Sequence, residues 1–381
     1  MGLHSIGDGT IGDWIMAGYP HLQLEHTTTI TTLVELQLMA VDLTADYTLA
    51  GAINASDTQY WNYDGVSSYY GFDPVGDDIS PFTGSLNGGS YAISNLYINN
   101  TANYVGLIGY FNNGSGPIQD IGLTDVNITT TGFYVGGLLG YLGAGTVSGS
   151  YTTGSVTAAR GIGGLVGLND GTISDSYSAC TVESTNGGGP GGSSTGGLVG
   201  RDINAAASIT NSYATGNVTG NSNRVGGLVG HVYSATISNS YATGTVTGVY
   251  HIGGLIGSVT TNATITKCYA TGDVTGSQSN VGGLAGYIYS SVAISNSYAT
   301  GNVTAGTGNV GGLVGWNDSS DIEYSYSTGY VTTTSGLIGG FVGDDNSGTY
   351  TANFWNTETS GMTNGVEGGN LAGVTAKTTS E

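Results

Sequence analysis

The sequence contains very few basic residues. Its 381 residues include 5 Lys+Arg against 26 Asp+Glu, so the net charge at pH 7 is −21. So little positive charge excludes a basic nucleic-acid-binding surface and a polybasic membrane anchor. Long apolar runs are missing too, since no stretch approaches the roughly 18 apolar residues of a membrane span. We therefore expect no nucleic-acid partner and no membrane insertion.

Proline and cysteine are scarce, with 5 Pro and 2 Cys against 70 Gly. Cys180 and Cys268 lie three copies apart in the repeat described next. At about 4.8 Å per stacked strand, that separation is too long for a disulfide. We expect both to be small buried side chains rather than a bridge or a metal-binding pair.

A five-residue block that ends in glycine recurs nine times between VGLIG (105–109) and GGFVG (339–343), usually as GGLVG. Its mean spacing of about 29 residues is typical of a solenoid. The last glycines of the nine blocks are Gly109, Gly140, Gly167, Gly200, Gly230, Gly257, Gly286, Gly315 and Gly343.

Each repeat holds three short β-like segments: the glycine block, a second segment such as ISNSYATG (237–244), and a Val-Thr pair such as Val246-Thr247. Gly, Asn, Ser and Thr separate them. A helical period of 3.6 cannot be fitted through so many glycines. The pattern predicts an all-β parallel β-helix in which each repeat forms one coil.

Equivalent residues of successive coils should stack about 4.8 Å apart. This predicts an aliphatic ladder from Ile173 to Ile322 and hydrogen bonds along the axis between Asn211, Asn239 and Asn296. We expect the glycines to allow positive φ at corners and close approach of neighbouring coils. The predicted aromatic ladder consists of Tyr151, Tyr177, Tyr213, Tyr241, Tyr269, Tyr298 and Tyr326.

The ends differ from the repeats. Residues 1–81 form a predicted cap or connection with one amphipathic helix over 32–43, opened by a capping box at Thr32 and Glu35. Residues 82–361 form the predicted β-helix, and Trp355 is placed at the tyrosine position of the last coil. Residues 362–381 form a tail that we expect to make an inter-subunit contact.

The recurring GGLVG, with ISNSYATG and VTG after it, resembles the GLUG repeats of secreted bacterial and archaeal surface proteins. PFTGSLNGGSYAISNLYI (81–98) is similar to the entry segment of that family, and FWNTETSG (354–361) to its exit segment. The resemblance implies a right-handed parallel β-helix of the kind found in adhesins, cell-envelope proteins and non-catalytic parts of secreted proteases.

One segment departs from the family order. Residues 14–23 resemble a stretch that normally follows the exit segment, yet here they open the chain. This leaves two interpretations. The chain is a slice of a longer tandem protein, or its N-terminal segment completes the C-terminal end of a neighbouring copy. The second would make a head-to-tail contact that builds filaments.

A compartment signal comes from Asn-x-Ser/Thr sequons, which are candidate N-glycosylation sites in a secreted protein. We expect an extracellular or cell-surface location. The candidate sites are Asn54, Asn99, Asn113, Asn127, Asn217, Asn262, Asn302 and Asn317.

The sequence predicts no catalytic residue, cofactor or metal. The basic residues Arg160, Arg201, Arg224, Lys267 and Lys377 appear scattered over different repeats, and the histidines form no HExxH motif. We expect His231 and His251 to lie on the surface or in loops. The acidic runs at 73–78 and 344–345 lack the spacing of a calcium loop.

These observations predict a non-catalytic extracellular structural protein that assembles head-to-tail into a filament, sheath or envelope layer. Its partners would be copies of itself or neighbouring repeats of a longer chain. The alternative is an adhesin module that binds a glycan or a host protein, and a polysaccharide-degrading enzyme is the third option.

Overall fold

The computed structural model describes the backbone of residues 14–17 and 19–22, and residues 26–113, 116–185, 193–221, 223–367 and 372–381. Within them the chain forms a parallel β-solenoid of about nine turns, which confirms the predicted fold class. Strands of neighbouring coils pair in parallel and form four sheets, named sheets 1 to 4 in the order in which a repeat visits them.

Sheets 1 and 2 come from the two halves of the glycine motif. The strands of sheet 1 are Phe133–Val135, Arg160–Gly163, Ser194–Gly196, Arg224–Gly226, Ile252–Gly253, Val281–Gly282, Val310–Gly311 and Ile338–Gly339. The strands of sheet 2 are Ile108–Asn112, Leu139–Ala144, Val166–Asn169, Val199–Asp202, Val229–Tyr233, Ile256–Thr260, Ala285–Tyr289, Val314–Asp318 and Val342–Asn346.

Sheet 3 contains the predicted isoleucine ladder, whose members pair directly and are buried. It starts before the first motif, within the segment expected to cap the solenoid. Its strands are Thr29–Ile30, Asp46–Leu49, Ser85–Asn87, Ile118–Gln119, Thr146–Ser148, Thr172–Ser174, Ser208–Thr210, Thr236–Ser238, Thr264–Thr266, Ala293–Ser295, Asp321–Glu323 and Thr349–Thr351.

Sheet 4 contains the tyrosine and Val-Thr segments of each coil. In some coils these are one long strand, and in others they are two short ones. Its strands are Ile53–Asn54, Ala92–Ser94, Tyr97–Asn100, Gly122–Thr130, Tyr151–Ala158, Tyr177–Ser184, Tyr213–Ala214, Val218–Gly220, Tyr241–Ala242, Val246–Gly248, Tyr269–Ala270, Val274–Gly276, Tyr298–Ala299, Val303–Thr307, Tyr326–Ser327, Val331–Ser335, Asn353–Asn356 and Val374–Lys377.

The N-terminal end is covered by a short helix, Leu33–Leu38, followed by the 3-10 turn Met39–Val41. The helix is shorter than the predicted 32–43 because the chain tightens into that turn and becomes extended at Asp42. The capping box is present as predicted, and Leu36 and Met39 are buried in the solenoid core. A second 3-10 turn spans Ser56–Tyr60.

Two further segments fold against their own chain. The strands Trp14–Ala17 and Tyr19–Leu22 form an antiparallel hairpin. At the other end, Asn356 caps the helical turn Thr357–Ser360, and the tail strand Val374–Lys377 pairs with Asn353–Asn356. The described part of the tail therefore extends sheet 4 by one strand.

The motif glycines serve close packing. Their φ angles lie outside the left-handed region, so the expected positive φ is wrong for them. A Cβ on Gly230 would lie 2.5 Å from the backbone nitrogen of Thr195 and 2.6 Å from the carbonyl oxygen of Gly200, and one on Gly227 would meet the carbonyl of Gly254. Backbone atoms cannot move aside as a flexible side chain can, so only glycine fits.

Left-handed residues instead form the corner between sheets 3 and 4. Their φ angles are close to +50°, a conformation that asparagine tolerates better than most residues. The hydrogen bond found along the axis at this corner runs from Nδ2 of Asn211 to Oδ1 of Asp175 at 3.1 Å, which is outside the predicted row of Asn211, Asn239 and Asn296. The corner residues of consecutive coils are Asp175, Asn211, Asn239, Lys267, Asn296 and Tyr324.

A column of buried side chains follows that corner. In each regular coil a serine hydroxyl donates to the carbonyl two residues earlier and accepts from the backbone N–H of the preceding coil, as Ser212 does from Ser176 at 3.2 Å. Buried backbone donors are thereby paired. The column consists of Ser150, Ser176, Ser212, Ser240, Cys268, Ser297, Ser325 and Asn353.

Both cysteines are free and buried. Cys268 replaces serine in this column, and its thiol donates to the carbonyl of Thr266 at 3.2 Å. Burial raises the pKa of Cys268 to about 12 and that of Cys180 to about 11. Both thiols are therefore protonated at neutral pH and poorly nucleophilic.

Candidate functional site

Sheet 4 stacks the seven tyrosines of the predicted ladder in one column. The ring centroids of consecutive members lie 4.7 to 4.9 Å apart, with interplanar angles of 1° to 6°. After Tyr326 the next residue in register is Phe354, so the placement of Trp355 at this position is wrong by one residue. Trp355 pairs with Ser327 and is buried.

Sheets 1 and 2 bring two further columns together, which we call the seam. One column follows the last motif glycine in sheet 2, and the other precedes the apolar residue of sheet 1. The sheet 2 column is Tyr110, Tyr141, Leu168, Arg201, His231, Ser258, Tyr287, Trp316 and Asp344. The sheet 1 column is Tyr104, Tyr134, Gly161, Ser194, Arg224, His251, Asn280 and Asn309.

The middle of the seam is basic. Arg201 and His231 are paired residues of neighbouring strands in sheet 2, while Arg224 and His251 follow each other in the facing column. The expectation that the basic residues are scattered is therefore wrong for Arg201 and Arg224. The expected surface position is wrong for His231, which is 5% exposed, and His251 is half-buried.

Burial, and then the charge of Arg224, lower the pKa of both histidines, to about 3 for His231 and about 4 for His251. Arg201 lowers the pKa of His231 further. Burial and the charge of Arg201 also lower the pKa of Arg224. At neutral pH the two imidazoles are therefore uncharged, and the positive charge of the seam resides on its guanidinium groups.

The histidines have defined neighbours. Nδ1 of His251 lies 3.0 Å from Nδ2 of Asn280, so the ring nitrogen accepts from the amide. Nε2 of His231 lies 3.3 Å from Oγ1 of Thr260. Nδ1 of His231 and Nε of Arg201 are buried without a hydrogen-bond partner.

Aromatic rings flank the basic segment on both sides. Towards the N-terminus, Tyr104 lies 5.2 Å from Tyr110 and 6.2 Å from Tyr141, measured between ring centroids. Towards the C-terminus, His251 stacks on Tyr287 at 5.1 Å, and Tyr287 lies 4.9 Å from Trp316. Along the axis the seam therefore consists of an aromatic segment, a basic segment formed by Arg201, Arg224, His231 and His251, and a second aromatic segment.

Two carboxyl groups lie near the basic segment. The hydroxyl of Tyr141 donates to Oδ2 of Asp170 at 2.6 Å, and burial raises the pKa of Asp170 although Arg201 opposes this. Asp202 points into the core, where Asn169 donates to its Oδ1 at 3.3 Å. Burial, and then the charge of Asp170, raise the pKa of Asp202 well above its usual range.

The basic residues of the seam have a sequence signal that the prediction of scattered residues does not use. Arg201 and His231 both directly follow GGLVG, and Arg224 and His251 both directly precede a hydrophobic residue and two glycines. Each pair has the same phase in consecutive repeats. The position within the repeat does not show that the two columns face each other. Their facing arrangement depends on the sharp turn that the glycine motif makes between sheets 1 and 2.

The sequons fall in different environments. Asn54, Asn127, Asn217, Asn262 and Asn302 are exposed, and their glycosylation stays a prediction. Asn99 and Asn113 are half-buried. Asn317 is wholly buried and donates to Tyr350 and to the carbonyl of Ser320, so the folded protein does not present it to a glycan-transferring enzyme.

The acidic runs are engaged in local contacts. Asp77 accepts from the backbone N–H groups of Ile79 and Ser80, and Asp344 accepts from Asn309. Within the described ranges, no three His, Cys, Asp or Glu side chains are grouped so that they could hold a metal ion. In the same ranges, no helix has the length and apolar character needed to cross a bilayer.

Four stretches match the family model of the GLUG motif: residues 191–219, 221–247, 248–275 and 306–334. The chain carries GLUG repeats. Three of the four stretches contribute residues to the basic segment of the seam. In these repeats the glycine block forms the sharp turn between sheets 1 and 2. The seam lies on that turn.

Two curated relatives share parts of this sequence. Halomucin of Haloquadratum walsbyi is 36% identical over 199 residues, which is 50% of this chain and 2% of that protein. A protein of Evansella cellulosilytica, provisionally described as a Gly-rich membrane protein, is 38% identical over 63 residues, 16% of this chain and 7% of that protein. The chain thus spans only a small fraction of the length of either relative.

Among solved structures, a Bacteroides ovatus protein provisionally assigned as an immunoglobulin A1 protease aligns with 92% of this chain and 84% of its own. The sequence identity is 20% and the TM-score is 0.47.

Proposed function

We propose that this chain is a non-catalytic structural repeat protein of the cell surface or the extracellular space. Its role is that of a rigid rod in a filament, sheath or envelope layer. The GLUG repeats and the similarity to halomucin support a surface repeat protein. The observation that carries the proposal is the parallel pairing of coil upon coil in all four sheets, which continues through register shifts at Leu123/Val126 and Leu142/Ala144.

That pairing supports rigidity. Each interior coil is hydrogen-bonded to both neighbours, and one continuous apolar core runs from Ile30 to Val374. A solenoid of this kind bends only if many parallel contacts are lost together. The low content of Lys and Arg leaves few sites for trypsin-like proteases, which suits an exposed material.

End-to-end association is the finer part of the proposal. Within the described residues, Ile53–Asn54 and Val374–Lys377 each pair on one side only, at opposite ends of sheet 4. Unpaired strand edges are templates for another chain, and such a contact between unlike ends continues into an open filament. The strands Trp14–Ala17 and Tyr19–Leu22 pair with each other, so the proposed junction uses these two edges rather than a donated N-terminal segment.

Electron microscopy and light scattering of the purified chain test the two parts separately. We expect rods that lengthen in steps of one chain as the concentration rises. Rods of constant length at every concentration would refute end-to-end association. Release of unsaturated sugar ends from acidic polysaccharides would refute the non-catalytic role. An adhesin that binds a glycan is the second candidate, favoured by the composition of the seam.

A further inference from the structure

The basic segment of the seam contains two guanidinium groups that pair directly with no carboxylate of the described residues, although the charge of Arg201 acts on the nearby Asp170. Arg201 and Arg224 are two of only 5 Lys+Arg residues in a chain with a net charge of −21, yet they lie close enough for Arg201 to lower the pKa of Arg224. Both are half-buried. Among the described residues, no carboxylate oxygen lies within 4.0 Å of either guanidinium. Like charges that face each other without a counterion are unfavourable, so the segment favours binding of an anion.

Unpaired polar atoms in the same segment indicate where such an anion would bind. Nε of Arg201, Nδ1 of His231 and Oγ of Ser194 are buried without a partner, and His231 and Ser194 are 5% and 1% exposed. Oδ1 of Asp170 and Oδ2 of Asp202 are also buried nearby without a partner, so the anion would bind on the side of the donors and not on that of the carboxyl groups. A buried polar group without a partner costs about 1 to 3 kcal/mol. An oxyanion would pair with the guanidinium and with N–H or O–H donors in charge-assisted hydrogen bonds.

The small residues of the seam lie beside the large basic ones. Ser194 precedes Arg224 in the sheet 1 column, and Ser258 separates His231 from Tyr287 in the sheet 2 column. A flat oxyanion such as a carboxylate is matched by the planar fork of a guanidinium, which binds it with two parallel hydrogen bonds.

The flanking aromatic rings identify the rest of the ligand. Tyr141 on one side and Tyr287 and Trp316 on the other are half-buried, so each exposes part of its ring along the axis. Aromatic rings offer apolar faces beside polar groups, and they pack against the C–H faces of sugar rings. We infer that the seam binds an acidic oligosaccharide, with one uronate carboxylate on Arg201 and Arg224 and a sugar ring further along the chain on the aromatic side chains of one flank.

The net charge of −21 opposes the approach of every polyanion, nucleic acids and acidic oligosaccharides alike. Selection between them therefore has to come from the contacts inside the seam, and single-stranded DNA is included below as a comparison ligand for that reason. An oligosaccharide places its carboxylates on a ring framework that also offers apolar faces. The inference is independent of end-to-end association, because the seam lies along the side of the solenoid and not at its ends.

Calorimetric titration of the full chain with trigalacturonate tests the inference, with a neutral trisaccharide, inorganic sulfate and single-stranded DNA as comparison ligands. We expect saturable binding of trigalacturonate that weakens as NaCl rises, and no detectable heat from the neutral sugar. Sulfate should bind at least about tenfold more weakly, because it lacks the ring contacts. Equal affinity for sulfate or for DNA would overturn the oligosaccharide assignment.

Matched variants locate the site. Arg224→Gln should weaken trigalacturonate binding at least about tenfold, whereas Lys267→Asn removes the same charge at an exposed left-handed corner and should leave the affinity within about twofold of wild type. An equal loss in both variants would show non-specific charge attraction and overturn the inference. If Arg224→Gln does not unfold cooperatively, Arg201→Lys keeps the charge but removes the Nε donor. An unchanged affinity in Arg201→Lys would also overturn the inference.

Discussion

The tyrosine column and the seam are built on the same coils but follow different rules. In the tyrosine column seven consecutive coils place the same side chain at the same position, with rings about 4.8 Å apart. In the seam the backbone is equally regular, yet tyrosine, leucine, arginine, histidine, serine and tryptophan follow one another. Uniform columns stabilise the solenoid, and a varied column on a uniform backbone is where binding specificity can arise.

We expect the largest loss of stability at the motif glycines, where neighbouring backbones lie too close to leave room for a side chain. Gly230→Ala places a Cβ 2.5 Å from the backbone of Thr195, and we expect it to lower the free energy of unfolding by about 3 kcal/mol or more. Gly51→Ala is the matched control, because a Cβ there meets nothing within 4 Å. Urea titration followed by circular dichroism measures both. A Gly230→Ala variant as stable as Gly51→Ala would contradict the packing role of the motif.

A smaller loss is expected in the buried serine column. Ser240→Ala removes the acceptor of the Ser212 backbone N–H, which would leave a buried donor unpaired at a cost of about 1 to 3 kcal/mol. Ser240→Cys should cost less, since Cys268 already occupies the equivalent position in the next coil. The same urea titration ranks the two variants, and the reverse order would refute the hydrogen-bonding role of the column.

The tyrosine column itself predicts a loss that depends on stacking. Tyr241 stacks on Tyr213 and Tyr269, so Tyr241→Ala should cost about 1 to 2 kcal/mol. Tyr233 is 45% exposed, and no stacked ring partner is found for it among the described residues, so Tyr233→Ala should stay within about 0.5 kcal/mol of wild type. Thermal unfolding by calorimetry compares the pair. Equal losses would show that stacking contributes no stability.

The smallest effect at neutral pH is expected for His231→Leu, which copies Leu168 from the same column and should change stability by less than about 1 kcal/mol. Its effect grows in acid. The folded pKa of His231 is lowered to about 3 from 6.5, so its contribution is complete above pH 6.5 and is lost as the pH falls towards 3.

The basic groups that lower the pKa of His231 are Arg224, Arg201 and His251. The contribution of His251 to the stability of the fold is lost over a similar pH range, because its pKa in the folded protein is about 4. His231→Leu should therefore lose less stability than wild type between pH 6.5 and 4. Unfolding titrations at stepped pH measure this. Parallel curves for the two proteins would show that His231 is protonated as readily in the folded state as in the unfolded chain.

The repeat period predicts those features that depend only on the position of a residue within the repeat, which is its phase. The fold, the isoleucine ladder in sheet 3 and the stacking of Tyr151 to Tyr326 follow from residues that recur at one position. Phase does not reveal how the backbone bends, so the asparagines predict a hydrogen-bonded row where the structure has a left-handed corner. The residue before the tyrosine is a usable signal, since it is serine in six of the seven coils and Cys268 in the other.

The repeat period does not predict the seam, because the seam depends on how the backbone turns between two sheets. Arg201 and Arg224 belong to different repeats and different phases, so their proximity depends on the sharp turn at Gly227 and Leu228. The N-terminal segment posed a similar problem. Its strands Thr29–Ile30 and Asp46–Leu49 continue sheet 3 although no glycine motif marks them. Pairing without a repeated motif leaves no period to detect.

The central claim, that successive coils stack in register, is tested most directly by spin-label distances in solution. Thr219, Thr247, Thr275 and Thr304 are exposed and pair from coil to coil, while both native cysteines are buried. Labels introduced pairwise at cysteine replacements should be separated by a distance that grows by about 4.8 Å per coil, reaching about 14 Å between positions 219 and 304. Distances that do not increase in equal steps, or that exceed about 25 Å for neighbouring coils, would contradict the stacked solenoid.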